Sequence, residues 1–281
     1  MRELTALYGA ASRGEAAALP ELPVQYADFA AWQREHLSGE RLAAATDFWR
    51  RTLLGAPPAL ELPADHPRPR VQSGRGGRVT HGLSRDTVDR LRAVAHAENA
   101  TLFATLAAGA RATLARWAGE DDVVLGTPAA GRTRVENEAL VGYFINTLAL
   151  RAPIDGDPAF RERVRRERDT VLDAFSHQEL PFERIVDELK VPRDPSRSPV
   201  FQVLFSLTAG GADHVQLAGV EMEPLESGYG GSKYDLAFEA HEVGGEVVLV
   251  CDYDAALFQP GTVERLLRHL GVVLERAGRE P

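Results

Sequence analysis

The chain has 281 residues and a hydrophobic content of 44%, which suits one large globular domain or two modest ones. Its formal net charge of -9 argues against a nucleic-acid partner, because proteins that bind phosphate backbones usually present a basic face. The single cysteine, Cys251, excludes an internal disulfide and is typical of the cytoplasm, and no apolar run is long enough to span a membrane.

The sequence begins with a pattern that predicts a helix. Leu4, Leu7 and Tyr8 recur at helical spacing, but no capping residue stands in front of Arg2. Either a segment is missing upstream of this helix, or the chain has a short N-terminal helix of its own. The spacing favours neither alternative.

Two further helices and an irregular crossing are predicted next. Aromatic residues at helical intervals predict a helix over 24–37, and a mixed polar and apolar segment predicts another over 42–54, ending at Gly55. Prolines then prevent regular structure; they are Pro57, Pro58, Pro63, Pro67 and Pro69. We expect this stretch to cross between two bodies.

From Gly77 onward the sequence alternates between strands and helices. The predicted strands are 78–83, 122–126, 200–207, 234–239 and 247–253. Ser84 and Thr101 suit the N-caps of two helices, and Gly119 suits the end of the second. Further helices are predicted over 160–176, 181–189 and 262–276. This order predicts a mixed α/β lobe.

Two features imitate binding motifs. The charged residues of 161–169 lie on a helix with an apolar stripe, so we interpret them as a solvated face rather than a binding patch. The glycine-rich segment 228–233 lacks the Gly-Lys-Ser order of a phosphate loop, and we interpret it as a flexible loop. The sequence also contains no histidine and cysteine cluster with metal spacing and no Gly-x-Ser-x-Gly elbow, so we expect no metal site and no serine hydrolase.

Three regions combine turn residues with polar groups that could line a cleft. They are 126–132, directly after a predicted strand, 142–147, and 177–183 with 193–199 close behind. Within them His177 could act as a general base, but capping the preceding helix is the favoured role. Asn146 could orient a substrate carbonyl or satisfy backbone groups at the end of a strand, and both alternatives stay open.

Four segments carry a resemblance to a known family. They read Tyr-Ala-Asp-Phe-Ala-Ala-Trp-Gln at 26–33, Gly-Tyr-Phe-Ile-Asn-Thr at 142–147, His-Gln-Glu-Leu-Pro-Phe-Glu at 177–183 and Arg-Asp-Pro-Ser-Arg-Ser-Pro at 193–199. In order and approximate spacing they resemble the later core motifs of the condensation domains of nonribosomal peptide synthetases. Ser198 departs from the pattern, because the family has asparagine there.

The resemblance covers essentially the whole chain and implies a chloramphenicol acetyltransferase-like α/β fold with two lobes, of which this sequence supplies the second half. On this basis residues 1–20 are the last helix of a truncated first lobe, 21–76 a helical and proline-rich crossover, and 77–281 the C-terminal lobe. The family's His-His-x-x-x-Asp-Gly motif belongs to the first lobe, and none of the eight histidines here has a histidine neighbour. We therefore assign no catalytic residue and expect the chain to be inactive alone.

The resemblance also implies an activity and its partners. Condensation domains join aminoacyl or peptidyl thioesters into amides, with the thioesters held on phosphopantetheine arms of carrier proteins, so no cofactor is expected to bind directly. Carrier proteins, adjacent synthetase domains and a first condensation lobe are the expected partners. Asn146, Thr147, Arg132 and Ser198 are the implied substrate-binding residues, and Arg132 is the candidate to pair with the aspartate of the missing motif.

The remaining motif positions are expected to be structural: His177, Gln178, Pro181, Phe182, Arg193, Asp194 and Arg197. Two alternatives remain. The chain could be a non-catalytic module that binds a carrier protein or packs beside a neighbouring domain, in which case it should expose a sizeable apolar face when alone. An independent acetyltransferase would need His177 or His81 as its catalytic base.

Overall fold

The computed structural model describes residues 2–154, 156–209, 217, 219–220 and 230–281. Its helices are α1 Arg2–Ser12, α2 Tyr26–His36, α3 Gly39–Leu53, α4 Arg85–Ala97, α5 Leu102–Ala118, α6 Phe160–Ser176, α7 Phe182–Glu188 and α8 Pro260–Arg279. Its strands are β1 Gly76–Leu83, β2 Val124–Ala129, β3 Asn146–Arg151, β4 Val203–Ala209, β5 Leu236–Val243 and β6 Glu246–Asp254, and a short 3-10 helix spans Val135–Asn137.

The strands form one mixed sheet in the order β1-β6-β5-β4-β2-β3. Strand β4 runs parallel to both β2 and β5, whereas the other neighbours are antiparallel. Helices α4, α5, α6 and α8 pack against one another and against the sheet. Helices that cover a sheet bury the apolar face of its strands, and Val203 and Phe205 of β4 and Leu249 and Tyr253 of β6 are accordingly buried.

Local signals position several helix ends as the sequence predicts. The Ser84 hydroxyl accepts a hydrogen bond from the Thr87 amide at 3.3 Å, and the Thr101 hydroxyl accepts one from the Ala104 amide at 3.1 Å. Gly119 ends α5 with a φ of 69°, in the left-handed region that a side chain would disfavour. These caps satisfy backbone groups that a helix leaves unpaired at its ends.

Strands β2 and β3 correct two expectations for the polar segments. Asn146 begins this strand rather than following one, and the hydrophobic run that comes after it pairs antiparallel with β2. Strand β2 continues to Ala129, so half of the expected loop 126–132 belongs to the sheet. The sequence conceals this extension because proline is rare inside strands. Pro128 is tolerated because it lies opposite Thr147, beyond the two residues of β2 that pair with β4.

The core of the sheet depends on a close contact at Gly126. A Cβ atom built there would lie 2.1 Å from Cε2 of Phe201, a ring that is 1% exposed and buried in the core. Cores are packed at the density of organic crystals, so the ring has little room to move away. Only glycine fits at this position of β2.

The expectation of a fully solvated charged face on α6 is wrong at one residue. Glu167 is buried and forms a bidentate ion pair with the equally buried Arg111 of α5, with N–O distances of 2.7 and 2.9 Å. Arg111 also donates to the carbonyl oxygen of Val123. A charged pair survives burial when its hydrogen bonds are satisfied in this way, and here it joins two helices to the start of β2.

Cys251 lies in β6 as predicted and is fully buried, and burial raises the pKa of its thiol well above the usual value. None of the helices in the described ranges combines the length and the apolar character needed to cross a membrane. The predicted glycine-rich loop 228–233 lies partly outside the described residues, which resume at Gly230.

Candidate functional site

Three of the four motif segments meet at one cavity. Its volume is about 170 Å³, and its walls come from α2, from the segment 143–147 that leads into β3, and from the turn between α6 and α7. Residues 131 and 133, in the loop after β2, close a further side. Segments more than one hundred residues apart therefore share one concave surface, as functional sites commonly do.

One wall of the cavity is aromatic. Tyr26 of α2 packs edge-on against Phe144 with ring centroids 5.3 Å apart, and Phe29 lies 4.6 Å from the same ring. The Tyr26 hydroxyl donates to the carbonyl oxygen of Tyr143 at 2.8 Å. Gly142 permits this contact, because a Cβ there would lie 2.2 Å from the Tyr26 ring. The aromatic residues of α2 thus hold the segment before β3 in place.

Asn146 uses its whole amide to join β3 to the turn before α7. Its Nδ2 donates to the carbonyl oxygens of Gln178 and Leu180 at 2.7 and 2.8 Å. Its Oδ1 accepts from the backbone amides of Thr147 and Phe182 at 2.8 and 3.0 Å. An asparagine amide offers two donors and two acceptor positions, and all four are used. Of the two alternatives for Asn146, this geometry favours the satisfaction of backbone groups over substrate binding.

Thr147 and Arg132 lie beside this junction. Thr147 is half-buried in β3 and lines the cavity. The Arg132 guanidinium stacks over the Phe144 ring, 4.2 Å from its centroid, and donates to the carbonyl oxygen of Asn137. Arg132 does not itself line the cavity. Both candidates are therefore near the cavity, but only Thr147 faces it.

The polar groups of the opposite wall come from the turn before α7 and from the end of α2. His36 stacks on Trp32 with centroids 4.5 Å apart, and its Nε2 lies 3.1 Å from a carboxylate oxygen of Glu179. Glu183, in the first turn of α7, also lines the cavity. Sequence reasoning missed His36, since nothing in its spacing distinguishes it from a helix-end histidine.

His177 has the capping role that the sequence favoured. Its Nδ1 lies 2.8 Å from the carbonyl oxygen of Asp173, and its ring stacks on Phe48 with centroids 3.6 Å apart. The His177 carbonyl oxygen accepts a hydrogen bond from the indole of Trp49. The imidazole does not line the cavity, so its position supports no role as a base there.

His81 is also poorly placed for catalysis. It lies in β1 with its ring against α8, where a Cβ on Gly271 would be 2.3 Å from its Nε2. Neither His81 nor His177 contributes to the cavity, so the idea of an independent acetyltransferase receives no support from either position.

The neighbouring motif residues shape the turn into α7. Gln178 donates from Nε2 to the carbonyl oxygen of Phe175 at 2.9 Å, which closes the end of α6. Pro181 is the N-cap of α7 and lines the cavity, and the Phe182 ring packs against Phe201 in the core, with centroids 5.4 Å apart. These contacts fit the structural roles expected of the segment 177–183.

The fourth motif forms an ion-pair network away from the cavity. Arg197 contacts Glu61 at 2.6 Å and Asp194 at 3.2 Å, and Arg193 contacts Asp187 at 2.9 Å. Hydrogen bonds from Ser196 hold the pKa of Asp194 below its usual value. The network joins the proline-rich crossing to the segment before β4.

A second, more buried pair strengthens the same junction. Arg68 of the crossing binds Asp235 through both guanidinium nitrogens, and the carboxyl of Asp235 is 2% exposed. This hydrogen bonding raises the pKa of Arg68. Arg68 also donates to the carbonyl oxygen of Ser196 at 3.1 Å, and the backbone N–H of Gln72 donates to the carbonyl oxygen of Pro195 at 2.9 Å. The crossing is therefore tied to the residue before β5 and to the segment 193–199.

Ser198 does not join the other substrate-binding candidates. It lines a separate depression of about 240 Å³ with the proline-rich crossing and the segment 191–199. Its carbonyl oxygen accepts from Nε2 of the buried Gln202 at 3.0 Å, while Oε1 of Gln202 accepts from the Leu60 amide. The structure brings Asn146 and Thr147 together at the cavity, Arg132 beside it, and Ser198 elsewhere.

Comparison with known proteins gives this arrangement a family. The family model described as "Condensation domain" matches residues 1–281. The chain belongs to the condensation-domain family. Linear gramicidin synthase subunits C and D of Brevibacillus parabrevis are 43% and 42% identical over 98% and 100% of the chain. The chain spans only 4% and 6% of those synthetases.

Solved structures agree with the fold. The X-domain from teicoplanin biosynthesis is 30% identical with a TM-score of 0.92, and the match covers the whole chain and 65% of the X-domain structure. SgcC5 from Streptomyces globisporus is 28% identical with a TM-score of 0.79 over the whole chain and 65% of its own. The predicted α/β fold, a mixed sheet with flanking helices like a lobe of chloramphenicol acetyltransferase, is confirmed.

Proposed function

We propose that the chain is the C-terminal portion of a condensation domain that joins carrier-bound aminoacyl or peptidyl thioesters into amides. The convergence of three family motifs on one cavity is the observation that carries this proposal. In the reaction the acceptor amine attacks the donor thioester carbonyl, a C–N bond forms, the C–S bond breaks, and the donor phosphopantetheine leaves as a thiol. The amine loses its proton to a base, which requires a titratable group near neutral pH.

The proposal assigns that base to a first lobe. No two histidines are adjacent in this sequence, and neither His81 nor His177 lines the cavity. His36 does line it, but its Nε2 lies 3.1 Å from Glu179 and its Nδ1 2.6 Å from the Arg41 guanidinium, so both ring nitrogens are engaged. We therefore assign no catalytic residue to the chain and expect no condensation from it alone. Residues 1–20 would then end the first lobe, 21–76 cross over, and 77–281 form the second lobe. Carrier proteins bearing phosphopantetheine arms and the adjacent synthetase domains are the proposed partners.

An exposed apolar patch beside the cavity supports the proposal that a first lobe packs there. Val141, Tyr143 and Ile145 are 85%, 75% and 54% exposed, and they lie in one short segment. Apolar side chains grouped in this way commonly mark an interaction surface. Arg132 emerges from the adjoining loop, and we propose that it pairs with the aspartate of the first lobe's motif.

Complementation tests the proposal directly. Mixing the chain with a separately made first lobe of a related condensation domain should restore amide formation on loaded carrier proteins, measured by mass spectrometry of the acceptor carrier. Arg132→Ala should reduce the restored rate at least about tenfold, because a buried carboxylate would lose its partner. Arg268→Ala, on the exposed face of α8, is the matched control and should leave the rate unchanged. A folded mixture without turnover would count against the proposal.

A second candidate function is a non-catalytic docking module. The TM-score of 0.92 to the X-domain favours it, and that X-domain has been solved in a complex with OxyB from teicoplanin biosynthesis. A docking module would bind a carrier protein or neighbouring domain with measurable affinity and show no turnover even when a first lobe is supplied. Calorimetric titration with a loaded carrier protein, run beside the complementation assay, separates the two functions.

A further inference from the structure

We propose that the cavity between α2, the segment 143–147 and the turn before α7 binds a compact organic cation, a protonated amine on an apolar body. This inference goes beyond the proposed function, because it concerns the chain alone and requires neither a first lobe nor turnover. Three properties of the cavity carry it: its volume, its aromatic wall and the sign of the charges that line it.

The volume selects a small apolar body. A cavity of about 150 Å³ holds one benzene molecule, and this cavity measures about 170 Å³. A six-membered ring with one short substituent therefore fits, whereas a long acyl chain or a nucleotide does not. Leu37 and Ile145 add aliphatic surface to the wall, so part of the ligand can be removed from water.

The aromatic wall attracts cations. Tyr26, Phe29 and Trp32 line the cavity together with Phe144. Two of these rings already bind guanidinium groups of the chain, since Arg132 lies 4.2 Å from the Phe144 centroid and Arg134 lies 4.2 Å from the Trp32 centroid. Such contacts arise from the negative potential of the ring face. Tyr26 and Phe29 have no cation over their rings in the described part of the chain.

The acidic side chains that line the cavity are carboxylates, whereas Arg132 and Arg134 contact rings of the wall without lining the cavity themselves. Glu179 and Glu183 line the cavity, and no arginine or lysine is found among the described residues that line it. Glu179 is 3.1 Å from His36, whereas Glu183 has no ion-pair partner within the described ranges. A group that enters from water therefore meets the unpaired carboxylate of Glu183 and the aromatic side chains of the wall. This combination complements an ammonium group on an apolar body and opposes an anion.

Titration with three probes of similar size tests the inference on the chain as it exists. Benzylammonium, benzyl alcohol and benzoate should be added separately, with binding followed by saturation-transfer NMR and by tryptophan fluorescence. We expect benzylammonium to bind with a dissociation constant on the order of 1 mM, as its size allows. Benzyl alcohol should bind about five times more weakly, and benzoate should not bind at ten times that concentration.

A matched pair of variants locates the charge effect. Glu183→Gln keeps the shape of the side chain and should weaken the binding of benzylammonium about three- to fivefold, which is in the range for an exposed ion pair. The binding of benzyl alcohol should not change. Glu188→Gln makes the same change at the other end of α7, outside the cavity, and should alter neither probe. Phe29→Leu keeps an apolar wall without the ring and should weaken the cation more than the alcohol.

Several results would overturn the inference. They are equal binding of benzylammonium and benzyl alcohol, equal effects of the substitutions at Glu183 and Glu188, or no binding of any probe at 10 mM, an amount about ten times the expected constant. Raising the salt concentration from about 0.05 to 0.5 M should weaken the binding of benzylammonium and leave the binding of benzyl alcohol unchanged, since salt screens interactions between exposed charges. Binding of benzylammonium that does not depend on salt would contradict the assignment of the charge effect to Glu183.

Discussion

Replacing Asn146 with alanine removes one side chain and leaves four backbone groups without a partner. These are the carbonyl oxygens of Gln178 and Leu180 and the amides of Thr147 and Phe182. Each net hydrogen bond contributes about 0.5–1.5 kcal/mol, and the site is half-buried, so part of the loss is recovered by water. We expect Asn146→Ala to lower the free energy of unfolding by about 2–4 kcal/mol.

Urea unfolding followed by circular dichroism measures this loss. Asn137→Ala is the matched control, because Asn137 is buried but its Nδ2 has no hydrogen-bond partner, so the change should cost less than about 1 kcal/mol. Asn146→Asp provides a second check, since a carboxylate keeps the two acceptor contacts and places negative charge against two carbonyl oxygens. It should destabilise at pH 7 and recover in part below about pH 4, where the carboxyl is protonated and donates again.

A free energy of unfolding for Asn146→Ala within about 0.5 kcal/mol of the parent value would refute the four-bond account, because surface substitutions commonly give differences of that size. That result, combined with loss of condensation in the complementation assay, would restore Asn146 as a substrate-binding residue. A stability loss equal to that of the Asn137 control would likewise contradict the four-bond account.

Three further predictions concern the supporting structure. Arg111→Met should cost about 3–5 kcal/mol in urea unfolding by stranding Glu167, whereas replacing both partners with Met and Leu should be neutral or stabilising; equal losses would contradict this. Gly126→Ala should cost about 1–3 kcal/mol, because its methyl group meets the Phe201 ring, and no change would mean that the ring moves. Asp65→Ala should cost about 1 kcal/mol, because Asp65 accepts hydrogen bonds at the start of α8.

Asp65 also predicts a pH dependence whose sign follows from its hydrogen bonds. The Gln259 amide holds the pKa of Asp65 below the usual value. Its contribution to stability is therefore complete above the usual aspartate pKa and is lost as the pH falls through the lowered folded value. The difference in free energy of unfolding between Asp65→Ala and the parent should shrink as the pH falls. A difference that grew would contradict a lowered pKa of Asp65 in the folded state.

Much of the local structure could be predicted because it depends on neighbours in the chain. Ser84, Thr101 and Gly119 mark helix ends through contacts within a few residues, and the predicted bounds of α6 agree with the structure. The strand β3 could not be recognised with the same assurance. Its polar first residues resemble a loop. Their partners come from β2, about twenty residues earlier in the chain, and from the turn before α7, more than thirty residues later.

The sequence by itself determined the α/β class and the order of the motifs along the chain. The tertiary structure decided which residues face one another. It placed Asn146 and Thr147 at the cavity and Ser198 in another depression, and it buried Glu167 inside a charged run because Arg111 of a different helix reaches it. Helical and strand periodicities are local, whereas partners for buried polar groups come from distant segments, and only folding brings them together.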